Sequence, residues 1–171
     1  GRPGTSMPAS GLPDADVWRI HSWLRAEALG DAAKAAAAAP TRPPVDVPPA
    51  AIVASHASPE QWLTYAGNYQ GHRHSALAQV TPGNVSRLTL AWAAQLRQGD
   101  KELQTSPIVA GRTMYVSESR GGVVALDAAS GEQLWAWRPN VVAPLALCCG
   151  SPNRGVAIVG RSVFVATIDA H

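Results

Sequence analysis

Thr113-Met114-Tyr115-Val116-Ser117-Glu118, Val123-Val124-Ala125-Leu126-Asp127 and Glu132-Gln133-Leu134-Trp135-Ala136-Trp137-Arg138 are three runs suited to β-strands, separated by Ser119-Arg120-Gly121 and Ala129-Ser130-Gly131. Glycine supplies the left-handed backbone of tight turns, and Ser and Asp bond the backbone locally there. Upstream, Gln104–Val109 reads as a further strand, turned by Ala110-Gly111-Arg112 into the first run, whose Met114 and Val116 share a face. Four short strands joined by tight turns meet the requirement of one propeller blade. The unit then begins again: Gly111-Arg112-Thr113-Met114-Tyr115-Val116 is echoed from 111 to 160, 49 residues on, by Gly160-Arg161-Ser162-Val163-Phe164-Val165. A repeat of that size fits blades, and two unrelated hairpins with a shared Gly-Arg turn are the alternative.

Outside this unit the chain changes character twice. Residues 1–31 open on a turn-rich stretch and continue into a helix, with Asp14 and Asp16 at its start, Val17, Ile20 and Leu24 at helical spacing, and Gly30 as its stop. Residues 32–58 are mostly Ala, Pro and Val and read as a semi-extended linker. From Pro59 to His171 the chain reads as all-β. The chain begins at Gly1 with no initiator Met and ends at Val165–His171, inside a strand and its following turn, so the expectation is an internal piece of a longer protein holding parts of two domains.

Composition narrows the function classes. The 171 residues carry 14 Lys+Arg against 12 Asp+Glu, a net charge of +2, which argues against a nucleic-acid binder working through a basic face. Hydrophobic residues reach 46%, but no run approaches the roughly 18 apolar residues of a spanning helix. Six Trp against one Phe call for a specific cause.

Ala125-Leu126-Asp127-Ala128-Ala129-Ser130-Gly131-Glu132-Gln133-Leu134-Trp135 resembles the tryptophan-docking motif of pyrroloquinoline quinone (PQQ) dehydrogenases. Trp135 offers an apolar plate whose N–H can reach backbone between blades, and in that family such tryptophans staple blade to blade. Trp62-Leu63-Thr64-Tyr65-Ala66-Gly67-Asn68, His72-Arg73-His74-Ser75-Ala76-Leu77, Asn84-Val85-Ser86-Arg87-Leu88, Ala91-Trp92 and Cys148-Cys149-Gly150-Ser151-Pro152-Asn153-Arg154-Gly155 are similar to further family motifs in the family's order. The resemblance covers residues 59–171 and implies the first blades of an eight-bladed quinoprotein β-propeller.

Read from spacing alone, Cys148 and Cys149 are poor zinc ligands, with buried or free thiols as the plain reading. The resemblance implies a vicinal disulfide lying against one face of PQQ, kept oxidised in the periplasm. It also implies that Arg154 engages the cofactor, since a guanidinium can grip planar carboxylates or quinone oxygens through paired hydrogen bonds. Three residues before Pro107 many PQQ alcohol dehydrogenases carry a Glu that contacts the cofactor; here Gln104 stands there, and Glu102 is out of register. An amide can still donate or accept, so Gln104 is taken as a candidate contact with different electrostatics.

The N-terminal piece, Gly4-Thr5-Ser6-Met7-Pro8-Ala9 followed by the Asp14–Arg25 stretch, looks like the end of a class I c-type cytochrome. The resemblance makes Met7 the axial ligand of a haem c iron, a thioether that raises the reduction potential. The attachment motif CxxCH is absent from the chain. Together the two resemblances imply a quinohaemoprotein alcohol dehydrogenase: a small alcohol is oxidised to an aldehyde or ketone, and electrons pass from PQQ through haem c to a cytochrome or other acceptor. Ca²⁺ or a lanthanide acts as Lewis acid in that family, with its ligands and the catalytic Asp expected beyond His171, so no catalytic residue is assigned here. A non-catalytic propeller scaffold, or a PQQ dehydrogenase for sugars or polymeric alcohols, are the competing readings. His21, His56, His72, His74 and His171 read as solvated or hydrogen-bonded side chains.

Overall fold

The computed structural model describes Pro13 and residues 44–97, 103–141 and 150–169. The expected cytochrome helix and Met7 lie outside these residues, as do Cys148 and Cys149. Four strands, β1 (Ile108–Ala110), β2 (Thr113–Ser117), β3 (Val123–Asp127) and β4 (Gln133–Trp137), pair in chain order as an antiparallel meander. A second sheet holds β5 (Ala157–Val159) and β6 (Ser162–Phe164). Ala110 faces Thr113 across Gly111-Arg112, and Val159 faces Ser162 across Gly160-Arg161. The two glycines take φ of +57° and +55°, so the repeated Gly-Arg stretch is one hairpin turn built twice. The chain is mainly β, in antiparallel sheets of the kind that form early propeller blades.

Period-two alternation divides the first sheet into two apolar faces. Ile108, Ala110, Tyr115 and Ala125 point one way and pack with Ile158 of the second sheet and with Val47, Ile52 and Leu63. Val116, Val124 and Leu126 point the other way, joined by Met114 and Ala136, and are covered by Trp92 and Leu96 from the extended segment 88–97. Because both faces are covered, every residue of β3 is buried. Each fully buried Val, Ile or Leu there stabilises by roughly 1.5–3 kcal/mol relative to exposure. Met114 and Val116 share a face, as their spacing requires.

Residues 44–58 differ from the linker expected over 32–58. Pro48 and Pro49 start a short helix, α1 (Pro49–Val53), with proline in its first turn, where a missing N–H costs nothing. Val47 and Ile52 are buried in the core, and Val47 exchanges backbone hydrogen bonds with Gly160 at 2.8 and 2.6 Å. Composition marked these residues as unable to fold alone. It did not register that a neighbouring sheet supplies the apolar surface they need.

Strand β1 also differs from expectation. It starts at Ile108 instead of Gln104, because Pro107 has no N–H to give a ladder. The preceding residues 104–106 turn instead toward the second sheet, and Ser106 bridges Gly155 in parallel. Trp62 forms an antiparallel bridge with Val109, with Gly67 pressed against its ring.

Candidate functional site

The Ser106–Gly155 bridge brings the stretches leading into β1 and β5 side by side, and this seam carries two of the residues singled out from the sequence. Arg154 donates from Nε to the Gln104 side-chain oxygen at 3.3 Å. They lie 50 positions apart in the chain and meet only because the two sheets adjoin. Arg154 is exposed and Gln104 half-buried, so the pair sits at an open edge.

The backbone beneath the pair is held from several directions. Ser106 N–H donates to the Arg154 carbonyl at 3.1 Å. Asn153 donates from Nδ2 to the Ala166 carbonyl at 2.8 Å, while its Oδ1 accepts from Gly155 N–H at 3.1 Å. The Ser117 hydroxyl bonds Thr105 Oγ1 at 3.0 Å and the Asn153 carbonyl at 3.2 Å, tying β2 to both stretches. Gly155 has a φ of +138°, and a Cβ there would stand 3.1 Å from the Ser106 carbonyl oxygen, so glycine is what lets the two backbones approach.

Three residues at strand ends and turns, Glu118, Arg120 and Arg138, hold the far end of the first sheet, and Arg120 reaches the stretch before Arg154. Arg120 adopts φ +65°, an uncommon left-handed conformation for a non-glycine residue, and its N–H donates to the Ser151 carbonyl at 2.9 Å. Glu118 is 2% exposed and is gripped by Arg138, whose Nε reaches Oε2 at 2.6 Å and whose Nη2 reaches Oε1 at 3.0 Å. Glu118 Oε1 also accepts Arg97 N–H at 2.8 Å, anchoring segment 88–97 to the sheet. Gly122 lies so close to Glu118 that a Cβ would stand 3.0 Å from Oε2. A buried carboxylate demands partners of this kind. The signal in the sequence is a Glu just past β2 and an Arg just past β4, opposite charges at the ends of two strands of one meander.

The turn after β3 behaves as its residues require. Asp127 Oδ1 accepts N–H groups from Ala129 at 2.9 Å and Ser130 at 2.7 Å, and Gly131 takes φ +72°. Arg112 Nε adds an ion pair to Oδ2 at 2.8 Å. Burial alone would raise the Asp127 pKa, but the bonds from Arg112, Ser130 and Ala129 outweigh it and bring it down to about 2. Trp92 serves this turn, its indole N–H donating to the Ala128 carbonyl at 3.2 Å. Trp135 is instead 41% exposed, its ring tilted against Tyr115 at 6.0 Å.

Of the candidate cofactor residues, Arg154 and Gln104 are together, whereas Cys148, Cys149 and Met7 lie outside the described residues. Among the described residues no group of three or more His, Cys, Asp or Glu is placed to hold a metal ion. His72 and His74 are exposed, with His72 Nδ1 near Asn68 Nδ2 at 3.2 Å. No helix among the described residues is long and apolar enough to cross a membrane. A guanidinium and an amide at an open seam suit a planar anionic ligand. The buried Ser151 Oγ, three residues before Arg154, has no hydrogen-bond partner among the described residues, so the seam has unmet polar capacity.

Comparison with known proteins places this architecture. Residues 62–170 match the family model described as PQQ, glucose/ethanol/alcohol dehydrogenase, beta-propeller domain. The quinohemoprotein alcohol dehydrogenase ADH IIB of Pseudomonas putida is 38% identical over 124 residues, covering 71% of this chain and 18% of that protein. The 1-butanol dehydrogenase (cytochrome c) of Thauera butanivorans is 38% identical over 119 residues, covering 68% of this chain and 17% of that one. Among solved structures, the quinohemoprotein alcohol dehydrogenase ADHIIG of Pseudomonas putida superposes with a TM-score of 0.66 at 32% identity, covering 74% of this chain and 19% of that structure. The chain thus spans about a fifth of the length of these relatives. It belongs to the glucose/ethanol/alcohol dehydrogenase β-propeller family of PQQ proteins.

Proposed function

We propose that the protein of which this chain is part is a periplasmic, PQQ-dependent alcohol dehydrogenase. It oxidises a small alcohol to an aldehyde or ketone and passes the electrons through haem c to a cytochrome or other acceptor. The observation that carries this reading is the Arg154–Gln104 pair on the seam between two sheets, within the matched span. In it, Arg154 binds a carboxylate or quinone oxygen of the cofactor at one edge, and Gln104 orients the guanidinium. PQQ supplies a two-electron acceptor when bound. Cys148 and Cys149 form a vicinal disulfide that packs on the cofactor plane, and Met7 ligates the haem iron. The Ca²⁺ or lanthanide ion is held by residues outside this chain. The names of the relatives, which include quinohemoproteins and a 1-butanol dehydrogenase coupled to cytochrome c, support a short primary alcohol and a haem acceptor.

Reconstitution of the full-length protein tests this. With PQQ and Ca²⁺ it should reduce an artificial electron acceptor in the presence of short alcohols, and Arg154→Ala should release the cofactor on dialysis. A full-length protein that takes up no PQQ would instead be a propeller scaffold. Alkylation of the loaded protein before reduction should leave Cys148 and Cys149 unmodified, and labelled thiols there would contradict the disulfide.

A further inference from the structure

Three arginines of this region meet their partners in two different ways. Arg112 and Arg138 each meet a carboxylate, Asp127 at 2.8 Å and Glu118 at 2.6 Å, so each positive charge is matched locally. Arg154 meets the Gln104 amide at 3.3 Å. The amide fixes the direction of the guanidinium as a carboxylate would, but contributes no negative charge. Its backbone support (Ser106 N–H on the Arg154 carbonyl, Asn153 across to Ala166 and Gly155) is likewise made of neutral groups.

We propose that Gln104 is the residue that sets the charge of this site: a neutral tether that positions Arg154 while leaving its full positive charge directed at an anionic ligand. The inference rests on the functional reading above and deepens it. For a cofactor that carries carboxylates, a guanidinium that meets no carboxylate among the described residues favours binding overall. Reduction adds two electrons to the quinone and two protons complete the quinol; at an oxygen left unprotonated, the developing negative charge lets that guanidinium favour the reduced form more than the oxidised one. Gln104 therefore acts through Arg154 as a positioning residue, and its side-chain charge controls both cofactor affinity and midpoint potential.

The experiment uses the full-length protein with PQQ as the probe, comparing wild type, Gln104→Glu and Gln104→Lys. Equilibrium PQQ binding and spectroelectrochemical titration of the bound cofactor are the readouts. Gln104→Glu should weaken PQQ binding roughly tenfold and favour the oxidised form by a similar factor, a downward shift of about 30 mV for a two-electron couple. Gln104→Lys should move the potential upward. Potentials that follow the sign of the charge support the proposal, whichever of the two variants folds well enough to measure. Unchanged potentials, or shifts of the same sign in both variants, overturn it while leaving the PQQ reading intact. A wild-type protein that binds no PQQ overturns the functional reading itself.

Discussion

Trp92 lies flat over Gly131, so close that a Cβ on that glycine would stand 2.5 Å from Cε3 of the indole. The same ring donates its N–H to Ala128 in the turn that Gly131 closes. One side chain from segment 88–97 thereby fastens itself to a turn nearly 40 residues away in sequence. Gly131→Ala should cost roughly 2–4 kcal/mol, since the new methyl meets both a positive φ and an aromatic ring. Trp92→Phe should cost about 1 kcal/mol, the value of the lost hydrogen bond with most of the apolar contact kept. Urea unfolding of the full-length variants, followed by tryptophan fluorescence, ranks the two.

Asp127 gives the protein an acid-sensitive joint. Its pKa falls from 3.8 unfolded to about 2 in the folded state, so the folded state resists protonation. The stabilisation is complete above about pH 4 and is lost as the pH falls through 2, with a ceiling of about 2 kcal/mol. Arg112→Ala should narrow that window by raising the folded-state value, and Asp127→Asn should remove this pH dependence. Unfolding midpoints measured across the acid range for the three proteins check the sign.

The buried Glu118–Arg138 pair should be unequal in its two halves. Arg138→Leu leaves a carboxylate that is 2% exposed with its charge unmatched and should cost about 3–5 kcal/mol. Replacing both residues, Glu118→Gln with Arg138→Leu, should recover part of that loss, because an amide can still accept Arg97 N–H. A double-mutant cycle on unfolding free energy separates the pair term from the rest.

Gly155→Ala should hurt cofactor binding more than it hurts stability. The methyl pushes the Ser106 carbonyl away from its position beside Arg154, so the guanidinium loses its tether to Gln104. We expect PQQ retention to fall by more than tenfold, with an unfolding cost of about 1–3 kcal/mol. Equal losses in the two measurements would show that this glycine serves folding alone.

How much of this was legible beforehand depends on whether the information was local. β2, β3 and β4 follow from alternation and turn residues, and the ends of β3 match the expected Val123–Asp127. Asp127, Ser130 and Gly131 form the turn their chemistry dictates. Residues whose fate depends on a distant partner were less readable. Val47 and Ile52 looked like linker because the sheet that buries them begins far downstream. Gln104 looked like the start of a strand because nothing nearby in sequence indicates that residues 104–106 run beside 153–155. Motif resemblance selected Arg154 and Gln104, but only the meeting of two sheets explains why they act as one site. Arg120, Glu118 and Arg138 carried no motif, and their roles emerge from burial and backbone strain.

The Val47–Gly160 clasp has a kinetic consequence. Its two ends are more than a hundred residues apart in the chain, and it closes only over hairpins that already exist. Closing so long a loop early would forfeit entropy with no packed surface yet present to offset it. The clasp therefore belongs to the last stage of folding and the first stage of opening. Amide exchange at Val47 and Gly160 should outpace exchange in the middle of β3. Substitutions at Val47 should speed unfolding while leaving the folding rate nearly unchanged.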